Sequence, residues 1–154
     1  MPTAYILVGV PGSGKSTWVD EYEFPNDIAH ISSDYFIDEY ADLHSTTYNL
    51  VFADYAATAN KLMFDEALEA IRLQIDIVWD QTNIAVSSRK KKINMLRDYY
   101  KIAVVFKLPK PEVLAERLAS RPGKVIPDSV IKDMINKFQE PTKSEGFDEI
   151  WFVS

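Results

Sequence analysis

The chain has 154 residues, which fits one domain with one substantial core, spanning residues 1–154. It contains no cysteine, which excludes disulfides, thiolate nucleophiles and Cys-based metal sites, and its two histidines, His30 and His44, exclude a His-rich zinc site. The net charge of −6 is unevenly spread: from Trp18 to Val86, 14 acidic residues stand against Lys61 and Arg72, whereas from Ser87 to Lys124, 11 basic residues stand against Asp98, Glu112 and Glu116.

Read in chain order, Ala4 to Val8 is an apolar strand, followed by a glycine-rich loop and a short helix from Lys15 to about Tyr22 that stops before Pro25. Ile28 to Ser32 is a second strand. Ser45-Thr46-Thr47 can cap a long helix running to about Leu73, because Tyr48, Val51, Phe52, Tyr55, Ala59, Leu62, Met63 and Ala67 recur at three- and four-residue spacing. Ile75 to Trp79 is apolar enough for a central parallel strand. Ser87 or Ser88 caps a basic helix to about Tyr100, and Ile102 to Leu108 is a fourth strand. Pro111 opens a helix ending near Ser120, Arg121-Pro122-Gly123-Lys124 is a loop, and a helix runs from Pro127-Asp128 to about Gln139. Ile150 to Val153 is the last strand. Strands alternating with helices predict an α/β sandwich around a parallel sheet. No apolar run approaches membrane-spanning length and Met1-Pro2-Thr3-Ala4 has no leader character, so a soluble cytoplasmic protein is expected, with no membrane partner.

Gly9 to Ser16 reads G-V-P-G-S-G-K-S, a complete G-x-x-x-x-G-K-[ST], and lies between a strand and a helix as its mechanism needs. Gly9, Gly12 and Gly14 permit backbone shapes that a Cβ opposes, so loop N–H groups converge on phosphates at a helix N-terminus. The candidate nucleotide-binding set is Gly9, Pro11, Gly12, Ser13, Gly14, Lys15, Ser16 and Thr17. Lys15 is expected to reach the β- and γ-phosphates, and the Ser16 hydroxyl to ligate Mg²⁺. Asp80, the carboxylate ending an apolar strand, is expected to assist the metal through water. Thr82 and Asn83 position that loop, touch a substrate, or only make a local turn.

Asp34 lies just past the second strand, at the edge where parallel α/β sheets bind ligands. It is either a proton acceptor for an attacking hydroxyl or the N-cap of the Tyr35–Tyr40 stretch. Arg117 and Arg121, four apart where a helix enters a Pro-Gly loop, are either a phosphoryl-gripping pair on a lid or a solvated surface pair. Of the aromatic residues after Asp34, one or two of Tyr35, Phe36 and Tyr40 are candidate substrate contacts, and Tyr48, Phe52 and Tyr55 read as packing residues. His30 reads as structural. The run Arg89-Lys90-Lys91-Lys92 is either a solvated helix face or part of a basic band that guides an anionic substrate.

Taken in order, G-V-P-G-S-G-K-S-T-W, S-D-Y, D-Q-T-N and R-L-A-S-R-P-G-K-V-I-P resemble the phage-type 5′-hydroxyl polynucleotide kinase domain and its wider group of small P-loop kinases, from Ala4 to about Phe138. The resemblance implies a parallel five-stranded sheet of order 2-3-1-4-5, with ATP and Mg²⁺ as cofactors. The implied catalytic residues are Lys15, Asp34 as general base, Arg121 as the lid arginine on the donor phosphates, and Arg117 one turn before it. The implied partner is a nucleic-acid 5′ end or a nucleoside-type acceptor. The family pattern after the base is D-x-Y-R, with the arginine on the acceptor phosphate, whereas this chain has Ile37 at that arginine. No D-x-D-G-T motif is present, so 3′-end phosphatase activity is not expected. The rival expectations are a kinase for another hydroxyl (a hydroxymethylated base, a nucleoside or a small metabolite) and a nucleotide-binding module that transfers nothing.

Overall fold

A computed structural model describes all of residues 1–154. Five parallel strands form one sheet in the order β2-β3-β1-β4-β5. They are β1 (Thr3–Val8), β2 (Ile28–Ile31), β3 (Asp76–Trp79), β4 (Tyr100–Phe106) and β5 (Glu149–Val153). The helices are α1 (Lys15–Glu21), α2 (Ser33–Leu43), α3 (Tyr48–Arg72), α4 (Val86–Met95), α5 (Pro111–Ala119) and α6 (Asp128–Lys137), and Lys143–Glu145 adds one 3₁₀ turn.

The alternation of β1 explains the layers. Ala4, Ile6 and Val8 face one side with Trp79, Ala103 and Val105, and meet Met63 and Ala67 of α3 and Ile93 of α4. Tyr5 and Leu7 face the other side with Val78, Val104 and Phe106, under an aromatic layer of Trp18, Tyr22, Phe24 and Trp151. Trp18 and Tyr22, one turn apart on and just past α1, stack at 4.7 Å. Burial on both faces accounts for the unbroken apolar run of the central strands.

Several boundaries differ from the sequence reading. The basic helix starts at Val86, after an Ala85 N-cap, and ends at Met95 rather than near Tyr100. Pairing with the first strand captures the residues after it: Tyr100 donates its N–H to the Pro2 carbonyl at 2.8 Å and sits opposite Thr3, so β4 begins two residues early. The stretch after Asp34 is an eleven-residue helix that packs against α3, with Tyr40 stacked on Tyr55 at 4.0 Å.

Because all strands run the same way, the loops after β1, β2 and β3 emerge at one edge of the sheet. Asp80 is held there by its N–H to the Ile31 carbonyl, at 2.7 Å.

Candidate functional site

That edge opens into a cleft of about 1470 Å³. Pockets for a single small ligand measure roughly 300–1,000 Å³, so the cleft has room for two substrates. It is lined by every residue of the candidate set except Gly9, the first residue of the loop.

The loop between β1 and α1 is shaped by its glycines. Gly12 and Gly14 have φ of +82° and +102°, a region that opposes a Cβ. At Gly9 a Cβ would lie 2.5 Å from the Ser13 hydroxyl. The Ser13 Oγ is buried and has no hydrogen-bond partner, and α1 begins without a side-chain cap. An orphaned hydroxyl and uncapped N–H groups around a cradle that only glycine leaves open fit a bound polyphosphate.

Lys15 does not reach outward. Its Nζ donates to the carbonyls of Gly9 at 2.8 Å and Val10 at 3.0 Å. Burial pushes its pKa down to about 8; the charges of Asp80 and Asp34 oppose that and Arg121 adds to it, so these four charges share one field. Ser16 and Asp80 line the same cleft. Asp80 Oδ2 lies 2.8 Å from His30 Nε2, and this hydrogen bond is the main cause of a raised His30 pKa. His30 thus lines the cleft beside an expected metal-assisting residue. The signal was present in the strand pairing: His30 sits opposite Val78, two residues before Asp80.

The loop after β3 anchors the phosphate loop from behind. Gly9 donates its N–H to the Thr82 carbonyl at 2.9 Å, and Asn83 Nδ2 donates to the Leu7 carbonyl at 2.8 Å. Asn83 is buried with φ of +47°, and α4 holds it there. Arg89 Nη1 donates to its carbonyl at 2.8 Å, and Lys92 Nζ donates to its Oδ1. Of the readings of these two residues, the Asn83 side chain matches the positioning one, whereas Thr82 gives only its carbonyl to the loop and also lines the cleft.

The same bonds correct the reading of the basic run. Arg89 is fully buried and paired with Glu145 at 2.8 Å, and Lys92 is buried over the Trp79 ring. Neither lies on a solvated face or guides a substrate. Lys101 is buried too, donating to the Tyr99 and Leu96 carbonyls. The remaining basic residues split. Lys107, Lys110, Arg117, Arg121 and Lys124 line the cleft, whereas Lys90, Lys91 and Arg97 lie around a separate shallow depression.

Asp34 is the second residue of α2; Ser32, not Asp34, occupies the N-cap position. Its Oδ1 accepts a hydrogen bond from the Tyr48 hydroxyl at 2.6 Å. Arg117 Nη1 reaches across to the Gly12 carbonyl at 3.1 Å. Arg121 opens the loop between α5 and α6, and this loop is fastened to the start of α3. Asn49 bonds both backbone groups of Val125, at 2.8 and 2.9 Å, and its own N–H donates to the Gly123 carbonyl at 3.0 Å. Lys124 pairs with Asp38 at 2.9 Å. Tyr35 is exposed in the cleft, Phe36 packs against the main core, and Tyr40 is held between His44 and Tyr55. Tyr48 and Phe52, expected as packing residues, line the cleft instead. No helix is long and apolar enough to cross a membrane.

A parallel sheet of this order with a glycine-shaped phosphate loop after its first strand defines a P-loop kinase fold. Residues 5–141 match the AAA_33 family, described as an AAA domain, and the chain belongs to that family. It is 26% identical over 150 residues to a protein of Schizosaccharomyces pombe (strain 972 / ATCC 24843) named bifunctional polynucleotide phosphatase/kinase; the match covers 94% of this chain but 32% of that one, about a third of its length. Among solved structures it is similar to a chain of the Pnkp1/Rnl/Hen1 RNA repair complex, at 26% identity and a TM-score of 0.69, covering 88% of this chain and 43% of that one. A putative kinase from Chloroflexus aurantiacus has the same fold at 18% identity and a TM-score of 0.66, covering 99% and 84%.

Proposed function

We propose that this chain is an ATP-dependent kinase that moves the γ-phosphoryl group to a hydroxyl, foremost the 5′-hydroxyl of a polynucleotide. The observation that carries the reading is the placement of Asp34 and Arg121 in one cleft with the phosphate loop, close enough for their charges to act on Lys15. A plain nucleotide-binding module needs no carboxylate opposite the phosphates. The similarity to a polynucleotide phosphatase/kinase supports the 5′-hydroxyl acceptor.

In this reading the loop N–H groups and Lys15 hold the donor phosphates, Lys15 exchanging its two carbonyl bonds for phosphate oxygens. Asp34 takes the proton of the acceptor hydroxyl as that oxygen bonds to the γ-phosphorus and the bond to ADP breaks. Arg121, with Arg117 at the loop, stabilises the charge spread over the transferred oxygens. Ser16, and Asp80 through water, would hold Mg²⁺, which neutralises phosphate charge when bound.

A second reading keeps the chemistry and changes the acceptor. Ile37 is buried in the core, 1% exposed, so no side chain at that position grips an acceptor phosphate. Tyr35 and Phe52 present exposed rings to the cleft instead, as an uncharged ring-bearing acceptor requires. Radiolabelled ATP offered with a 5′-hydroxyl oligonucleotide, its 5′-phosphorylated copy, free nucleosides and duplex DNA bearing hydroxymethyl pyrimidines separates the two. The first reading requires label on the 5′-hydroxyl oligonucleotide and none on its phosphorylated copy. Label on the phosphorylated copy or the modified duplex places the acceptor on a base. Turnover of ATP that no acceptor or Asp34→Asn substitution alters would overturn both.

A further inference from the structure

Tyr48 carries a polar contact to which neither the motif nor the family resemblance assigns a role. Its hydroxyl donates to Asp34 Oδ1 at 2.6 Å, across two helices and fourteen residues. The ring is packed by Phe52, 5.5 Å between centroids, and Lys124 Nζ lies 4.7 Å from its centroid. Burial first, and then the bond to Asp34, drive the phenol pKa far above its ordinary value. The hydroxyl therefore keeps its proton and is the donor in this bond. With Oδ1 engaged, Oδ2 is the carboxylate oxygen left for a substrate proton.

We propose that Tyr48 is the positioning residue for the reaction: its hydroxyl fixes the Asp34 carboxylate so that Oδ2 meets the acceptor hydroxyl. This rests on the reading of Asp34 as proton acceptor. The same turn of α3 places Asn49 against Val125 and Gly123, and Lys124 bridges the Tyr48 ring and Asp38. Base alignment and docking of the Arg121 loop are thus set by one turn of helix. A tyrosine there for packing alone needs its ring and not its oxygen.

Tyr48→Phe makes that distinction, since it keeps the ring, the Phe52 contact and the cation above it. Transfer from radiolabelled ATP to a 5′-hydroxyl oligonucleotide is measured beside release of ADP from ATP alone, where water is the acceptor, so the result does not depend on the acceptor's identity. The expected result is a fall in kcat of roughly 10- to 100-fold, the scale set by an ångström of misplacement. The KM for ATP and the urea midpoint stay at wild-type values. In an Asp34→Asn background the same substitution costs nothing further, because the group it orients is gone. An unchanged kcat in Tyr48→Phe, or an equal loss in the Asp34→Asn background, overturns the positioning role. If Asp34→Asn is slow while Tyr48→Phe is fast, the inference alone fails. If Asp34→Asn transfers at the wild-type rate, the proton-acceptor reading fails and takes this inference with it.

Discussion

Lys92 offers a test of how the phosphate loop is anchored. It is 5% exposed, donates to Asn83 Oδ1 and lies over the Trp79 ring, and burial pushes its pKa from 10.5 down to about 7. Unfolded, the same lysine holds its proton up to its ordinary pKa. Between about pH 7 and 10.5 the unfolded chain therefore binds more protons, and stability rises with pH across that window. Below pH 7 both states are charged and the dependence vanishes. The limiting slope is about 1.4 kcal/mol per pH unit, which integrates to about 2 kcal/mol between pH 7 and pH 9. Lys15, pushed down to about 8, adds a slope of the same sign. Tyr5 and Tyr99, pushed up to about 12 by burial, act only at higher pH. A comparison with Lys92→Met cancels all of these. Urea unfolding of both proteins from pH 7 to pH 9 is expected to show the wild type gaining about 2 kcal/mol on the variant. A difference that stays constant with pH would refute a desolvated Lys92 that loses its proton near pH 7 as the source.

Glu145→Gln strands the Arg89 guanidinium in the core and is expected to cost about 3–5 kcal/mol in urea unfolding. Gly14→Ala forces a Cβ onto φ of +102°, costing about 1–2 kcal/mol of stability, and calorimetric titration is expected to show weakened ATP binding. Arg121→Ala is expected to lower kcat by roughly 10³–10⁵, with Arg121→Lys between it and wild type because the fork is lost and the charge kept; unchanged kcat in both returns Arg121 to the surface.

What the sequence makes legible depends on how locally each feature is encoded. The phosphate loop is eight adjacent residues whose spacing is its mechanism, and Asp80 follows an apolar run that reads as a central strand. Tyr48 was hidden because its partner is on another helix and its spacing matches a core stripe. Arg89 and Lys92 were hidden by their neighbours: a run of four basic residues reads as solvated. Burial here depends on Glu145, 56 residues away, and on Asn83 adopting a left-handed backbone. The strand order followed from family resemblance, since periodicity alone orders no strands. The early end of α4 was decided by a partner strand at the other end of the chain.

The long helix α3 has a mechanical consequence. Its buried residues begin at Ala59, so the part from Tyr48 onward, which α2 and the Arg121 loop hold, stands clear of the support of the sheet. At a rise of about 1.5 Å per residue, Tyr48 projects about 16 Å beyond that support. A tilt of about 5° at the root would sweep its tip through about 1.4 Å, comparable to the displacement that costs roughly a hundredfold in rate. A change in the bed beneath Met63 can therefore shift the Tyr48–Asp34 contact by leverage, without altering any residue that lines the cleft.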